Sequence, residues 1–223
     1  LRAAIHQAVL NDFEGFSLQY QPQLYTESGY CAAAEAILCW STQEYPDITH
    51  EDLMAALENS GDILQVGRWA LEHAMNQTHD WQEVLPEFSI SMDISSRQII
   101  QKRFLEGICE MASHYSLAPN TLCLELNNGC YAAGDRHLSD LIRILREHNI
   151  SVALDGFSPE WFSVEMLRKL NPLWVKLSSD FAGDAAEPFP ACSAGTVPPT
   201  GSVCLHQGYF HGRTGKAGGP RRC

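Results

Sequence analysis

Tyr30-Cys-Ala-Ala-Ala-Glu35-Ala-Ile-Leu-Cys-Trp40 reads as a buried strand with a single carboxylate inside it. Burying an isolated carboxylate costs several kcal/mol unless a cation or hydrogen bonds compensate, so a strand that carries one is expected to deliver it to a site. Three runs downstream repeat the pattern: Ile90-Ser-Met-Asp93, Leu122-Cys-Leu-Glu125 and Val152-Ala-Leu-Asp155. Asp93 taken alone fits a strand-end cap as well as a ligand. Four strands, each with an acid at or near its C-terminal end, together predict a metal site.

Outward from Glu35, the chain alternates strands and helices. Phe16-Ser-Leu-Gln-Tyr-Gln21 is a strand, and the turn signal Glu27-Ser-Gly29 returns it as the Glu35 strand, so the first pair is expected to be antiparallel. The rest reads as βα units. Thr49 caps a helix over 50–59, a longer amphipathic helix covers 63–75, and a strand follows over 88–94. A helix over 97–115, a strand over 122–126, a helix over 136–147, a strand over 151–154, a helix over 159–170 and a strand over 174–177 continue the alternation. Near-continuous apolar strands separated by helices imply a parallel sheet covered by helices, hence an α/β class. Acids at successive strand ends favour a barrel mouth.

Composition bounds the ligand. The 223 residues carry a formal charge of −12, and Lys and Arg are outnumbered along most of the chain, which argues against a nucleic-acid polymer as partner. A small ligand is expected. No run approaches the roughly 20 apolar residues of a membrane span, so no membrane insertion is expected of this segment, and its location is read as cytoplasmic. The eight cysteines contain no C-x-x-C pair, and Cys31, Cys39, Cys109 and Cys123 sit in apolar runs where a thiol behaves as a small hydrophobe. His50, His73, His79 and His148 fall on helices or loops without metal-ligand spacing, and most read as surface residues. Arg97, Lys102 and Arg103 read as a solvated helix face, and the five tryptophans as packing.

At the residues already quoted, the chain resembles an EAL domain, a bacterial family that hydrolyses the second messenger cyclic di-GMP. The likeness runs from Leu1 to about Ser179. Leu18-Gln-Tyr-Gln-Pro22 resembles the family's opening, and Glu35-Ala-Ile stands where the family has Glu-Ala-Leu. Leu57-Glu-Asn-Ser-Gly-Asp-Ile-Leu-Gln-Val-Gly-Arg-Trp69 is similar to the following helix pair, and Ser91-Met-Asp-Ile-Ser95 to a segment with Asn at its third place. Leu124-Glu-Leu-Asn-Asn128 resembles Leu-Glu-Leu-Thr-Glu, Leu154-Asp-Gly-Phe-Ser158 resembles Leu-Asp-Asp-Phe-Gly, and Val175-Lys-Leu-Ser178 resembles Ile-Lys-Ile-Asp. Any one tripeptide is weak; the ordered set is specific.

The resemblance implies a TIM-like (β/α) barrel whose first strand is antiparallel, and two-cation phosphodiester hydrolysis. Oxygen ligands suit Mg²⁺ or Mn²⁺. Carried over by position, Glu35, Asp93, Glu125 and Asp155 would surround the first cation, Lys176 would steer water or phosphate, and Gln21 would touch substrate. Gln207-Gly-Tyr-Phe210 resembles the Gln-Gly-Tyr of the family's last strand, which makes Gln207 a second substrate candidate.

Departures from the pattern matter as much. Gly156 replaces an acid that helps hold the second cation, Asn128 replaces a loop-anchoring Glu, Ser178 replaces an Asp, and Cys39 replaces an Arg expected near substrate phosphate. The strand that supplies the family's general base has no counterpart, a loss typically worth about 10²- to 10⁴-fold in rate. From about Phe181 the composition turns Gly-, Pro- and basic-rich, which divides the chain into a barrel domain over 1–179 and an atypical tail over 180–223. The barrel is therefore expected to be truncated after its sixth strand. Its open edge would be covered by the tail segment Ser202 to Phe210 or by a second subunit, a possible homodimer. The expectation is a degenerate EAL domain with at most one cation site, a module that binds cyclic di-GMP or a protein partner with little or no hydrolysis. The alternative is an active phosphodiesterase yielding linear pGpG.

Overall fold

A computed structural model of the chain describes residues 1–24, 30–131, 135–157, 167–168, 170–177 and 203–206. Helix α1 (Arg2–Leu10) leads into a hairpin of β1 (Phe16–Leu24) and β2 (Cys31–Trp40). Then come α2 (His50–Ser60), α3 (Ile63–Gln82), β3 (Ser89–Ile94), α4 (Ser96–Ile99), α5 (Lys102–His114) and β4 (Leu122–Leu126). The chain continues through α6 (Asn128–Tyr131), α7 (Asp135–Glu147), β5 (Ser151–Phe157), β6 (Trp174–Leu177) and β7 (Val203–His206). The strands form one sheet in the order β1-β2-β3-β4-β5-β6-β7. The β1–β2 pair is antiparallel as expected, β2 to β6 are mutually parallel, and β7 pairs antiparallel with β6. Among the described residues β1 and β7 do not pair, so the sheet is curved but open. The expected turn at Glu27-Ser-Gly29, most of the helix expected over 159–170, and Gln207 lie outside the described residues.

Alternation along each strand sends successive side chains to opposite faces, and the two faces have opposite chemistry. Ala34, Ala36, Leu38, Ile90, Met92, Ile94, Leu122, Leu124, Leu126, Val152 and Leu154 face the helices and are buried. Against them pack Leu53, Ala56 and Leu57 of α2, Ile63, Val66, Ala70, Leu71 and Ala74 of α3, and Leu138, Leu141, Ile142 and Leu145 of α7. Those last four fall at i, i+3, i+4 and i+7, the stripe that an amphipathic helix turns toward a core. Each fully buried aliphatic side chain contributes roughly 1.5–3 kcal/mol. This layer holds the fold together.

Local chemistry sets the boundaries. The Thr49 side chain accepts from Asp52 N–H at 3.1 Å and starts α2, and Gly61 at φ 85° closes it in the left-handed conformation that glycine reaches without strain. The helix expected over 97–115 is instead two. Ser95 and Gln98 form a capping box that starts α4, and Gln98 Nε2 also donates to Ile63 O at 3.1 Å, which locks the short helix onto the start of α3. A continuous helix would bury Ile100, four residues before buried Phe104; the break buries Ile99 and leaves Ile100 61% exposed. Gly67 leaves room at this crossing, since a Cβ there would come within 1.9 Å of Gln98 Nε2 and displace it from the Ile63 carbonyl. Helix α3 outruns its expected end at residue 75 because Trp81 packs edge-to-face on Phe88 at 5.1 Å and on Tyr20 at 4.8 Å.

Candidate active site on the inner face of the sheet

The opposite face is polar. Gln21 stands beside Glu35 in the β1–β2 register, Glu35 beside Ser91 in β2–β3, Asp93 beside Glu125 in β3–β4, and Glu125 beside Ala153 in β4–β5. The acids of β2, β3 and β4 thus share one face of neighbouring strands, with Asp155 of β5 two residues beyond the Glu125 register partner. Glu35 lies mid-strand, not near a strand end as the sequence pattern predicted. Pairing with β3 nevertheless stops at Glu35, and beyond it β2 continues only against β1. In that sense Glu35 does sit at an end, that of the parallel ladder.

Carboxylate oxygens of Glu35, Asp93 and Glu125 lie within 4.8 Å of one another. Lys176, only 4% exposed, reaches in from β6: its Nζ donates to Glu35 Oε2 at 2.5 Å and forms an ion pair with Glu125 Oε2. Glu125 is fully buried, and its Oε1 has no hydrogen-bond partner among the described residues. Burial, reinforced by the neighbouring charges of Glu35 and Asp93, pushes the Glu125 carboxyl well above the usual range although Lys176 pulls the other way. Asp93 is pushed up to about 6, by burial first and then by Glu35 and Asp155, against the opposing pull of Lys176 and His50. Asp155 is raised by burial and Glu35, with Lys176 and a hydrogen bond from the Gly156 backbone opposing. For Lys176, burial works against the charge, but attraction to Glu125 and Glu35 outweighs it and its pKa rises. One ammonium does not balance this many acids. A hard divalent cation would supply the missing charge and a partner for the orphaned Glu125 oxygen, so the residues present fit such an ion.

Gly156 has a structural role of its own. Leu154 stands opposite Val175 and Phe157 opposite Leu177, so β5 spends one more residue than β6 between the two pairings. This is a bulge, and it falls on Asp155-Gly156 with Gly156 at φ 69°. An extra residue in the left-handed conformation re-aims the neighbouring side chain. Cys39, where the resemblance expects an Arg, is on the face of β2 that carries Glu35, and its thiol points back to Ile37 O at 3.7 Å.

Of the residues singled out from sequence, Glu35, Asp93, Glu125 and Lys176 converge, Asp155 is close enough to raise the Asp93 pKa, and Gln21 is the cross-strand neighbour of Glu35. Three neighbours were not anticipated. Gln23 Nε2 donates to the buried Ser91 Oγ at 3.3 Å on the same face, and His50, a surface residue with its side chain 40% exposed, nevertheless places Nε2 3.9 Å from Asp93 Oδ2. No sequence signal marks this proximity, because the start of α2 and the end of β3 meet only in the tertiary fold.

The family model for the EAL domain matches residues 2–190. The chain belongs to the EAL domain family. Among curated relatives, the cyclic di-GMP phosphodiesterase PA2567 of Pseudomonas aeruginosa is 25% identical over 186 residues, covering 83% of this chain and 32% of that protein. An uncharacterized protein of Synechocystis, sll1895, is 26% identical over 185 residues, 82% of this chain and 26% of its own length. The chain thus spans about a quarter to a third of these relatives. In fold it is similar to the MucR phosphodiesterase in complex with c-di-GMP, with a TM-score of 0.74 at 22% identity, covering 84% of this chain and 76% of that one. It is also similar to the Pseudomonas aeruginosa FimX EAL domain bound to c-di-GMP, with a TM-score of 0.67 at 16% identity, covering 82% of this chain and 73% of that one. The fold is the TIM-like α/β fold of the EAL domain, with its antiparallel first strand and a sheet left open among the described residues. No helix among the described residues is long and apolar enough to cross a membrane.

Proposed function

We propose that this EAL domain is a binding or regulatory module of cyclic di-GMP signalling that holds one divalent cation and hydrolyses its ligand little or not at all. The acidic cluster with its orphaned Glu125 oxygen carries the reading: the site is built for cationic charge, yet its β5 contribution is Asp155 followed by a glycine that offers no second carboxylate. Glu35, Asp93, Glu125 and Asp155 would hold the ion, which is Mg²⁺ or Mn²⁺ by the hardness of its oxygen donors. When bound, such an ion neutralises charge on phosphate oxygens and polarises water.

The chain's own residues then divide the work. Lys176 pairs with Glu35 and Glu125 and would place positive charge on the face where a phosphodiester would lie. Gln21 and Gln207 are proposed to hydrogen-bond the ligand. Calorimetric titration with Mn²⁺ and with cyclic di-GMP, alongside chromatography of the nucleotide after incubation, tests the proposal. Binding without product is expected; robust formation of linear pGpG would instead establish the active phosphodiesterase, the activity in the name of the Pseudomonas aeruginosa relative PA2567.

A further inference from the structure

His50 is the first residue of α2, and none of the motifs that carry the family resemblance includes it. Its Nδ1 lies 3.0 Å from the carbonyl oxygen of Leu38. A carbonyl only accepts, so Nδ1 carries a proton and donates it, and in the neutral ring Nε2 is left as an acceptor. That acceptor faces Asp93 Oδ2 at 3.9 Å, and a carboxylate also only accepts. Two acceptors held face to face at this separation can be satisfied together by one shared donor.

We propose that His50 is a positioning residue of the acidic site: its Nε2 and Asp93 Oδ2 share a single donor, a water or a ligand N–H or O–H, and this bridge holds the Asp93 carboxylate toward Glu35 and Glu125. The ring is itself fixed by its bond to the β2 backbone, so the orientation of one site residue is tied to the strand that carries another. Hydrogen-bonded partners of this kind, one step removed from the ion, commonly govern the affinity of acidic cation sites. The inference rests on the cation reading of the preceding section.

The test titrates Mn²⁺ into the full chain, followed by electron paramagnetic resonance of the free ion, in wild type, Glu35→Gln, His50→Ala and His50→Gln, with the thermal midpoint of each variant recorded without metal. Wild type is expected to bind, Glu35→Gln to lose binding, and His50→Ala to bind on the order of 10-fold more weakly. His50→Gln, which keeps an acceptor within reach of Asp93, should lie closer to wild type than to His50→Ala. Unchanged Mn²⁺ affinity in His50→Ala, with Glu35→Gln impaired, would overturn the role of His50 alone. Tighter binding in His50→Ala would also overturn it, by showing that an imidazolium ordinarily competes with the ion. Failure of wild type to bind Mn²⁺ would remove both readings. A fall in midpoint shared by both His50 variants with affinity intact would assign the residue to helix packing.

Discussion

The two faces of one sheet differ more than any two elements of this molecule. On the helix-facing side, Ile90, Leu122 and Leu124 are at most 1% exposed among other aliphatic side chains. On the other side the same strands turn Ser91, Asp93 and Glu125 toward Glu35 and Lys176. The first face gains free energy by leaving water; the second loses it, because a buried ion pair seldom recovers its desolvation cost. Successive residues of β3 and β4 therefore alternate between stabilising the fold and taxing it. A sheet that carries such a cost on one face is arranged for a ligand, not for stability alone.

The largest expected effect breaks the inner face. Lys176→Met leaves buried Glu125 and half-buried Glu35 without their cation and should cost about 3–5 kcal/mol in urea unfolding. Divalent metal should recover more stability in this variant than in wild type, and equal recovery would mean that the ion does not share the field of Lys176. Leu124→Ala, one residue from Glu125, creates a cavity on the other face and should cost about 2–5 kcal/mol. Metal should stabilise this variant as much as it stabilises wild type and no more, since the site is intact. A larger gain would mean that the two faces are coupled, and the comparison would fail.

Smaller effects sharpen the contrast. Asp93 is raised to about 6, above its ordinary value of 3.8, and Glu125 is raised as well. Carboxyls whose folded pKa is raised stabilise the fold while protonated, and that contribution is lost as pH rises through the folded value. Metal-free protein should thus lose stability between about pH 4 and 6 from Asp93, and again at higher pH from Glu125, measured by thermal melts across the range; Glu125→Gln should abolish the upper part. Saturating Mn²⁺ should flatten the profile, since the ion favours the charged forms.

Gly156→Ala should cost about 1–2 kcal/mol, the penalty for a side chain at positive φ, although none of the described residues lies within 4 Å of the Cβ position to clash with it. Gly156→Asp should pay a similar penalty and restore no hydrolysis by itself, which chromatography of the nucleotide would check.

Most strands and helices were legible because parallel strands buried on a helix-covered face read as near-continuous apolar runs, and acids inside such runs stand out. Glu35, Asp93 and Glu125 were found this way. The division of the helix expected over 97–115 was not legible, since it depends on Gln98 reaching the Ile63 carbonyl 35 residues away. His50 was hidden for the same reason: Thr49 marks it as a helix start, and a helix start is ordinarily solvated.

Sequence by itself determined the alternation of elements, the acids that the apolar strands carry, and the family, because these follow from local periodicity and from short motifs in fixed order. Tertiary structure alone decided how far the acids rise relative to one another, that Lys176 bridges Glu35 and Glu125 across 141 residues of chain, and that an imidazole faces Asp93. The reason is that strand stagger and the Asp155-Gly156 bulge set distances between side chains remote in sequence. Charge interactions depend on those distances, whereas burial of an apolar face depends only on which way it points.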